Sequence, residues 1–291
     1  KTAYEISLGL VGSEMCIRDR RNGGLSWPSL SLDVEAHLRA IWMVSPKEGW
    51  AVGDRGLIVH TSDGRRWEVV STGETFWGLA AIGSKGWAVG ESGTIYATEG
   101  GDRWEKLQSG TGSTLFDVFF VNEQVGWAVG ANGAFIYTSD GGKTWEPKAS
   151  GGRGDLFGLF FIDEKTGWLV GRGGKVVRTT DAGDTCAVYD SGVSEDLYSV
   201  FFLDKRRGWA VGANGRIIRT TDGGISWKLG LSGTTRALRK IKFLNDRIGL
   251  IVGDKGLILR TENGGRSWKR VESGVKSVSY THLRAHETEA D

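Results

Sequence analysis

Three arginines, Arg178, Arg219 and Arg260, recur 41 residues apart. A planar guanidinium recognises a carboxylate through forked pairs of hydrogen bonds. A row of such groups is expected to bind acidic side chains, or a C-terminal carboxylate, of an extended protein segment. The same register earlier in the chain holds His60, Ala97 and Tyr137, so the arginines are confined to one stretch. A second series, Arg39, Trp77, Phe116, Phe157, Tyr198 and Arg239, recurs at nearly equal spacing. Four aromatic rings between two arginines suit a peptide or a sugar. They equally suit packing between neighbouring elements.

Asp63, Asp140, Asp181 and Asp222 recur as well, each in a Thr-x-Asp-Gly-like turn that ends near Trp67, Trp104, Trp145, Trp227 or Trp268. Asn263 takes the aspartate's place in one copy. A carboxylate at such a position accepts hydrogen bonds from turn N–H groups. A residue repeated once per unit is a poor catalyst, because a reaction needs one asymmetric constellation. The expectation is therefore structural, with no catalytic residue and no enzyme activity. A sialidase-like or other carbohydrate-active reading is the alternative, since those proteins carry the same turns. No distinctive carboxylate pair or singular tyrosine supports it. His37 and His60 lack metal-ligand spacing, so neither metal nor cofactor is expected. Cys186 stands where other units have tryptophan, which suggests packing and not a nucleophile.

These residues must be positioned by a repeat. Gly-Trp-Ala-Val-Gly occurs at 49–53, 86–90, 126–130 and 208–212, with variants at 167–171 and 249–253. Ten residues beyond each comes the aspartate turn, at its fullest Thr138-Ser-Asp-Gly-Gly-Lys-Thr-Trp145. Each unit of about 41 residues reads as four strands. Strand A is Leu115–Val121 and its equivalents, nearly continuous in apolar residues. Strand B is the Trp-Ala-Val segment, strand C is Phe135–Thr138 or Ile217–Thr220, and strand D begins at the turn's tryptophan. Asn132-Gly133 and Asn214-Gly215 supply the two positive-φ residues of a tight B–C turn. Four strands in about 41 residues make one propeller blade. Six complete units run from about Leu38 to Gly274, and Asn22–Leu30 adds an isolated turn and D strand. The expected fold is an all-β propeller of six complete blades plus a strand of a truncated seventh.

The composition agrees. The chain of 291 residues has 46 glycines, 13 tryptophans and only 3 prolines, which suits many tight turns between short strands. A net charge of +2 gives no argument for nucleic acid. No run of 18 apolar residues is present, so no transmembrane helix is expected. Residues 1–20 and 277–291 match no repeat position and resemble translated sequencing-adapter DNA. They are read as foreign to a single domain spanning 21–276.

The pairing of Gly-Trp-Ala-Val-Gly with Gly-x-Ile-x-x-Thr-x-Asp-Gly-Gly-x-Thr-Trp resembles the photosystem II stability/assembly factor family of BNR/Asp-box propellers. Leu115-Phe-Asp-Val-Phe-Phe120 and Ile218-Arg-Thr-Thr-Asp-Gly-Gly224 carry it best. The resemblance spans about residues 21–275. It implies a non-catalytic scaffold, monomeric, that binds a protein client such as a membrane-complex subunit. It also implies an extracytoplasmic location, the periplasm or thylakoid lumen.

Overall fold

The computed structural model describes residues 7–9, 15–18, 29–32, 36–45, 47–101 and 103–271. Six four-stranded antiparallel sheets follow one another as blades of a β-propeller. Their A strands are Leu38–Met43, Phe76–Ile82, Leu115–Phe120, Leu156–Phe161, Leu197–Phe202 and Leu238–Phe243. Each A strand packs against the next around the channel, and the B, C and D strands follow outward in order. Blade 3, for example, continues with Gly126–Gly130, Phe135–Thr138 and Glu146–Pro147.

The Gly-Trp-Ala-Val-Gly motif is a packing solution. The B strands of blades 1 to 5 are buried along their Gly-Trp-x-Val-Gly stretch. The opening glycine makes room for a ring on strand A. A Cβ on Gly126 would sit 2.5 Å from Phe120, and one on Gly167 would sit 2.4 Å from Phe161. The closing glycine lets strand A begin against strand B. A Cβ on Gly130 would lie 2.0 Å from the Thr114 carbonyl. In all six blades the register then shifts by one residue after the first residue of strand A, as in Leu115/Asp117 and Phe76/Gly78, a bulge that bends the strand. The B–C turns have φ of +58° and +77° at Asn132 and Gly133, and +51° and +69° at Asn214 and Gly215.

Two boundaries and one burial pattern differ from the sequence reading. Strand A of blade 3 ends at Phe120, one residue before Val121. Its burial is also not continuous: in Leu115–Phe120 the second and fifth residues are partly exposed, because the inner strand borders a channel. Strand D starts at the tryptophan only in blade 2, at Trp104. Elsewhere it starts one residue later, after the tryptophan or, in blade 4, after Cys186.

A three-stranded sheet precedes blade 1, formed by Ser7–Gly9, Met15–Arg18 and Ser29–Leu32. Two of these strands fall within residues 1–20, which the sequence sets apart from the repeats. Such pairing satisfies the open edge of Ser29–Leu32, a site at which any short extended segment finds backbone partners. The turn at Asn22–Trp27 and residues 277–291 lie outside the described residues.

Candidate functional site

Strand pairing sets the surroundings of the arginine series. Arg178 is opposite Trp168, Arg219 opposite Trp209, and Arg260 opposite Leu250. Directly opposed residues share one face of a sheet, so each arginine lies beside the large side chain of strand B. Arg178 approaches the Trp168 ring, with its Cζ 6.0 Å from the centroid. It also lies against the next blade's turn, 3.8 Å from where a Cβ on Gly223 would be. Arg260 is 16% exposed and paired with Glu262. The Nε atoms of Arg178 and Arg260 are buried without a partner among the described residues. In blades 1 and 3 the position holds a ring beside the tryptophan: His60 stacks 5.0 Å from Trp50, and Tyr137 lies tilted 5.5 Å from Trp127, while blade 2 has Ala97. The three arginines thus share a face but not a setting.

Arg219 opens onto a cavity of about 460 Å³ between blades 5 and 6. Arg207, Arg247 and Arg266 line the same cavity with Asp246, Asn263 and the edge of Trp209. Arg207 is held by Asp204 at 2.6 Å. Burial pushes the Asp204 carboxyl up, but the bonds from Arg207 and from backbone N–H groups outweigh it and hold it below the usual range. The Trp209 indole N–H is buried and makes no protein hydrogen bond among the described residues. Four guanidinium groups against Asp246 form a donor-rich, cationic recess. Such a set of donors suits a carboxylate. Arg207, Arg247 and Arg266 were missed in the sequence because they lie on loops outside the strand register. Their one signal was placement: Arg207 and Arg247 precede equivalent B strands.

The second series forms a continuous arc. Trp77 and Phe116 meet edge to face at 5.8 Å, Phe116 and Phe157 at 5.5 Å, and Phe157 and Tyr198 at 5.6 Å. Arg39 caps one end, 3.7 Å over the Trp77 ring and paired with Asp54. Arg239 caps the other, 4.7 Å over Tyr198 and bonded to Asp254 at 2.7 and 3.0 Å. Asp54 and Asp254 belong to B–C turns, so this arc borders the channel on the face opposite the aspartate turns. The rings contact one another between blades and remain partly exposed.

The aspartate turns are local hydrogen-bond assemblies. Asp140 accepts from the Thr138 hydroxyl at 2.9 Å, the Thr144 N–H at 2.9 Å and the Thr144 hydroxyl at 2.6 Å. Asp181 and Asp222 repeat this pattern. Asp63 accepts from the N–H groups of Arg65 and Arg66, both at 2.7 Å. Bonds from Ser226 and Thr220 hold the Asp222 carboxyl down at about 2. Trp104 and Trp145 are buried at 8% exposure, whereas Trp67, Trp227 and Trp268 are half-buried. Cys186 is a free, half-buried thiol, and burial pushes it up to about 11. No His, Cys, Asp and Glu group among the described residues could hold a metal ion.

The sequence model of "Photosynthesis system II assembly factor YCF48" matches residues 7–105, 97–189 and 186–277. A photosystem II assembly lipoprotein Ycf48 from Synechococcus sp. (strain CC9902) is 41% identical over 58 residues, which is 19% of this chain and 17% of that relative's length. Among solved structures, YCF48 bound to a D1 peptide superposes with a TM-score of 0.67 at 20% identity, over 81% of this chain and 80% of the other. The computationally designed Ika8 protein superposes equally well, with a TM-score of 0.67 at 12% identity, over 91% and 86%. These two likenesses speak for the fold, whereas the sequence match runs through nearly the whole repeat array. The chain belongs to the photosystem II assembly factor YCF48 family.

Proposed function

We propose that this propeller is a non-catalytic assembly factor that captures a photosystem II subunit by an acidic or C-terminal carboxylate segment, through the arginine side of the ring. The observation that carries this reading is the recess that Arg219 lines together with Arg207, Arg247 and Arg266. Arg178 and Arg260 extend the cationic side to the neighbouring blades. Family membership and a relative solved with a D1 peptide support a protein client. The lipoprotein relative supports an extracytoplasmic location, in the periplasm or thylakoid lumen, and no described helix is long and apolar enough to cross a membrane. Arg219 is the decisive residue, because Arg178 and Arg260 are also packed between structural groups. The test is fluorescence anisotropy with a labelled acidic peptide carrying a free C-terminus. Arg219→Glu should weaken capture at least tenfold with an unchanged melting temperature. Binding by the unaltered protein should weaken with salt, since exposed charges are screened over about 8 Å at physiological ionic strength. Equal binding by the variant, or by an amidated neutral peptide, would remove the recess from the function.

A further inference from the structure

The third position of strand A holds Ala40, Gly78, Asp117, Gly158, Ser199 and Lys240 in blades 1 to 6. Small residues suit it because the inner strands converge there. A Cβ on Gly78 would lie 2.9 Å from the Asp117 Cα, and one on Gly158 would lie 2.6 Å from the Tyr198 carbonyl. Two blades depart from the pattern, and their side chains meet. Lys240 Nζ lies 3.0 Å from Asp117 Oδ2 and 3.3 Å from Oδ1. Strand A of blade 3 packs against blades 2 and 4, and strand A of blade 6 packs against blade 5. The pair therefore reaches across the channel and not around the ring.

Its two halves are unlike. The Asp117 side chain is 12% exposed and also accepts the Leu159 N–H at 3.4 Å. The Lys240 side chain is 58% exposed, a compact charge on a flexible stem. A carboxylate this deep needs a cation beside it, but an exposed lysine gains little from any one partner. Asp117 is the fixed half of a cation site, and Lys240 is its resident occupant. One residue earlier on the same strands stand Phe116 and Arg239, both within the arc that borders the channel mouth, where Phe116 also meets Phe157 of blade 4. Aromatic faces attract cations, and the arc already holds Arg39 and Arg239 over its end rings.

We propose that this channel mouth is a receptor for a lysine or arginine side chain of a bound protein, whose charged head displaces Lys240 from Asp117. The site lies on the face opposite the aspartate turns and stands whether or not the arginine recess binds a carboxylate. The probe is N-acetyl-arginine amide, titrated calorimetrically into the full chain. Lys240→Met should bind it at least tenfold more tightly than the unaltered protein, because the competing ammonium is gone. Adding Asp117→Asn to that variant should abolish binding. Equal affinity with and without Lys240, or binding that survives Asp117→Asn, overturns the proposal. A second measurement needs no variant: the probe should speed reductive methylation of Lys240 severalfold relative to the other lysines, read by mass spectrometry. An unchanged rate overturns the proposal as well.

Discussion

Trp127 of blade 3 stacks on Phe161 of blade 4, with centroids 3.6 Å apart and planes within 4°, and its indole N–H donates to the Ala182 carbonyl at 2.9 Å. The same clasp joins Trp87 to Phe120 and Gly141, and Trp168 to Phe202 and Gly223. One strand B tryptophan thus binds both the inner strand and the aspartate turn of the following blade. Trp127→Ala should cost roughly 3–5 kcal/mol, the usual range for deleting a buried aromatic ring. Denaturant melts measure it, and a loss under about 1 kcal/mol would mean that the clasp contributes little.

The turn tryptophans should separate into two groups. Trp145 is 8% exposed and meets the edge of Phe120 at 5.9 Å, whereas Trp227 is half-buried. Trp145→Ala should therefore destabilise more than Trp227→Ala, with the first near 3 kcal/mol. Paired urea melts decide the order, and the reverse ranking would contradict the packing described.

Acid should weaken the turns. Asp222 is held at about 2 by bonds from Ser226 and Thr220. Asp163 is also near 2: burial acts upward, but the bond from Lys205 and the N–H groups of Thr166 and Lys165 outweigh it. An unfolded aspartate titrates near ~3.9. Both carboxylates therefore add stability that is fully present above about pH 4 and is lost as pH falls toward 2. Melting temperature should drop across that window. Asp222→Asn should flatten part of the drop while keeping the turn, because Asn263 already works in blade 6, with Nδ2 donating to Ser267 at 2.8 Å.

Cys186 should be a poor nucleophile in the folded protein. Burial raises its thiol to about 11, so little thiolate exists near neutrality. Reaction with a disulfide reagent at pH 8 should be slow, should accelerate as pH approaches 11, and should become rapid on unfolding. Fast native labelling at pH 8 would place the sulfur in open solvent.

The terminal segments should be dispensable. Residues 1–20 and 277–291 carry neither repeat motif, although the family match begins at residue 7, and the six blades between Leu38 and Val271 each complete their own four strands. A chain spanning 21–276 should melt within a few degrees of the full chain. A larger drop by calorimetry would make the pairing of Met15–Arg18 with Ser29–Leu32 part of the domain.

The blades were legible because a repeat shows its strands six times over, and glycines at fixed places mark every turn. Bonds between repeats were harder to read. Phe120, Phe161 and Phe202 look like ordinary apolar strand residues, and only the ring brings each under the preceding blade's tryptophan. The arginine series was visible as a register, but not its division into one residue on a cavity and two packed against Trp168 and Glu262. Asp117 and Lys240 lie 123 positions apart and meet only because the ring closes. Their one trace in the sequence is a long side chain at a position otherwise held by Gly, Ala or Ser.

The clasps also give the ring a grain. Blades 2 to 6 each meet their predecessor's strand B tryptophan, as staves are held by overlapping pegs, but two of these five joints carry a loose peg. The indole N–H groups of Trp50 and Trp209 find no carbonyl among the described residues. At the first joint the receiving turn is one residue short. The second joint is the wall of the arginine recess. Force applied across the joints between blades 1 and 2 and between blades 5 and 6 therefore meets one hydrogen bond fewer than at the three clasped joints between them.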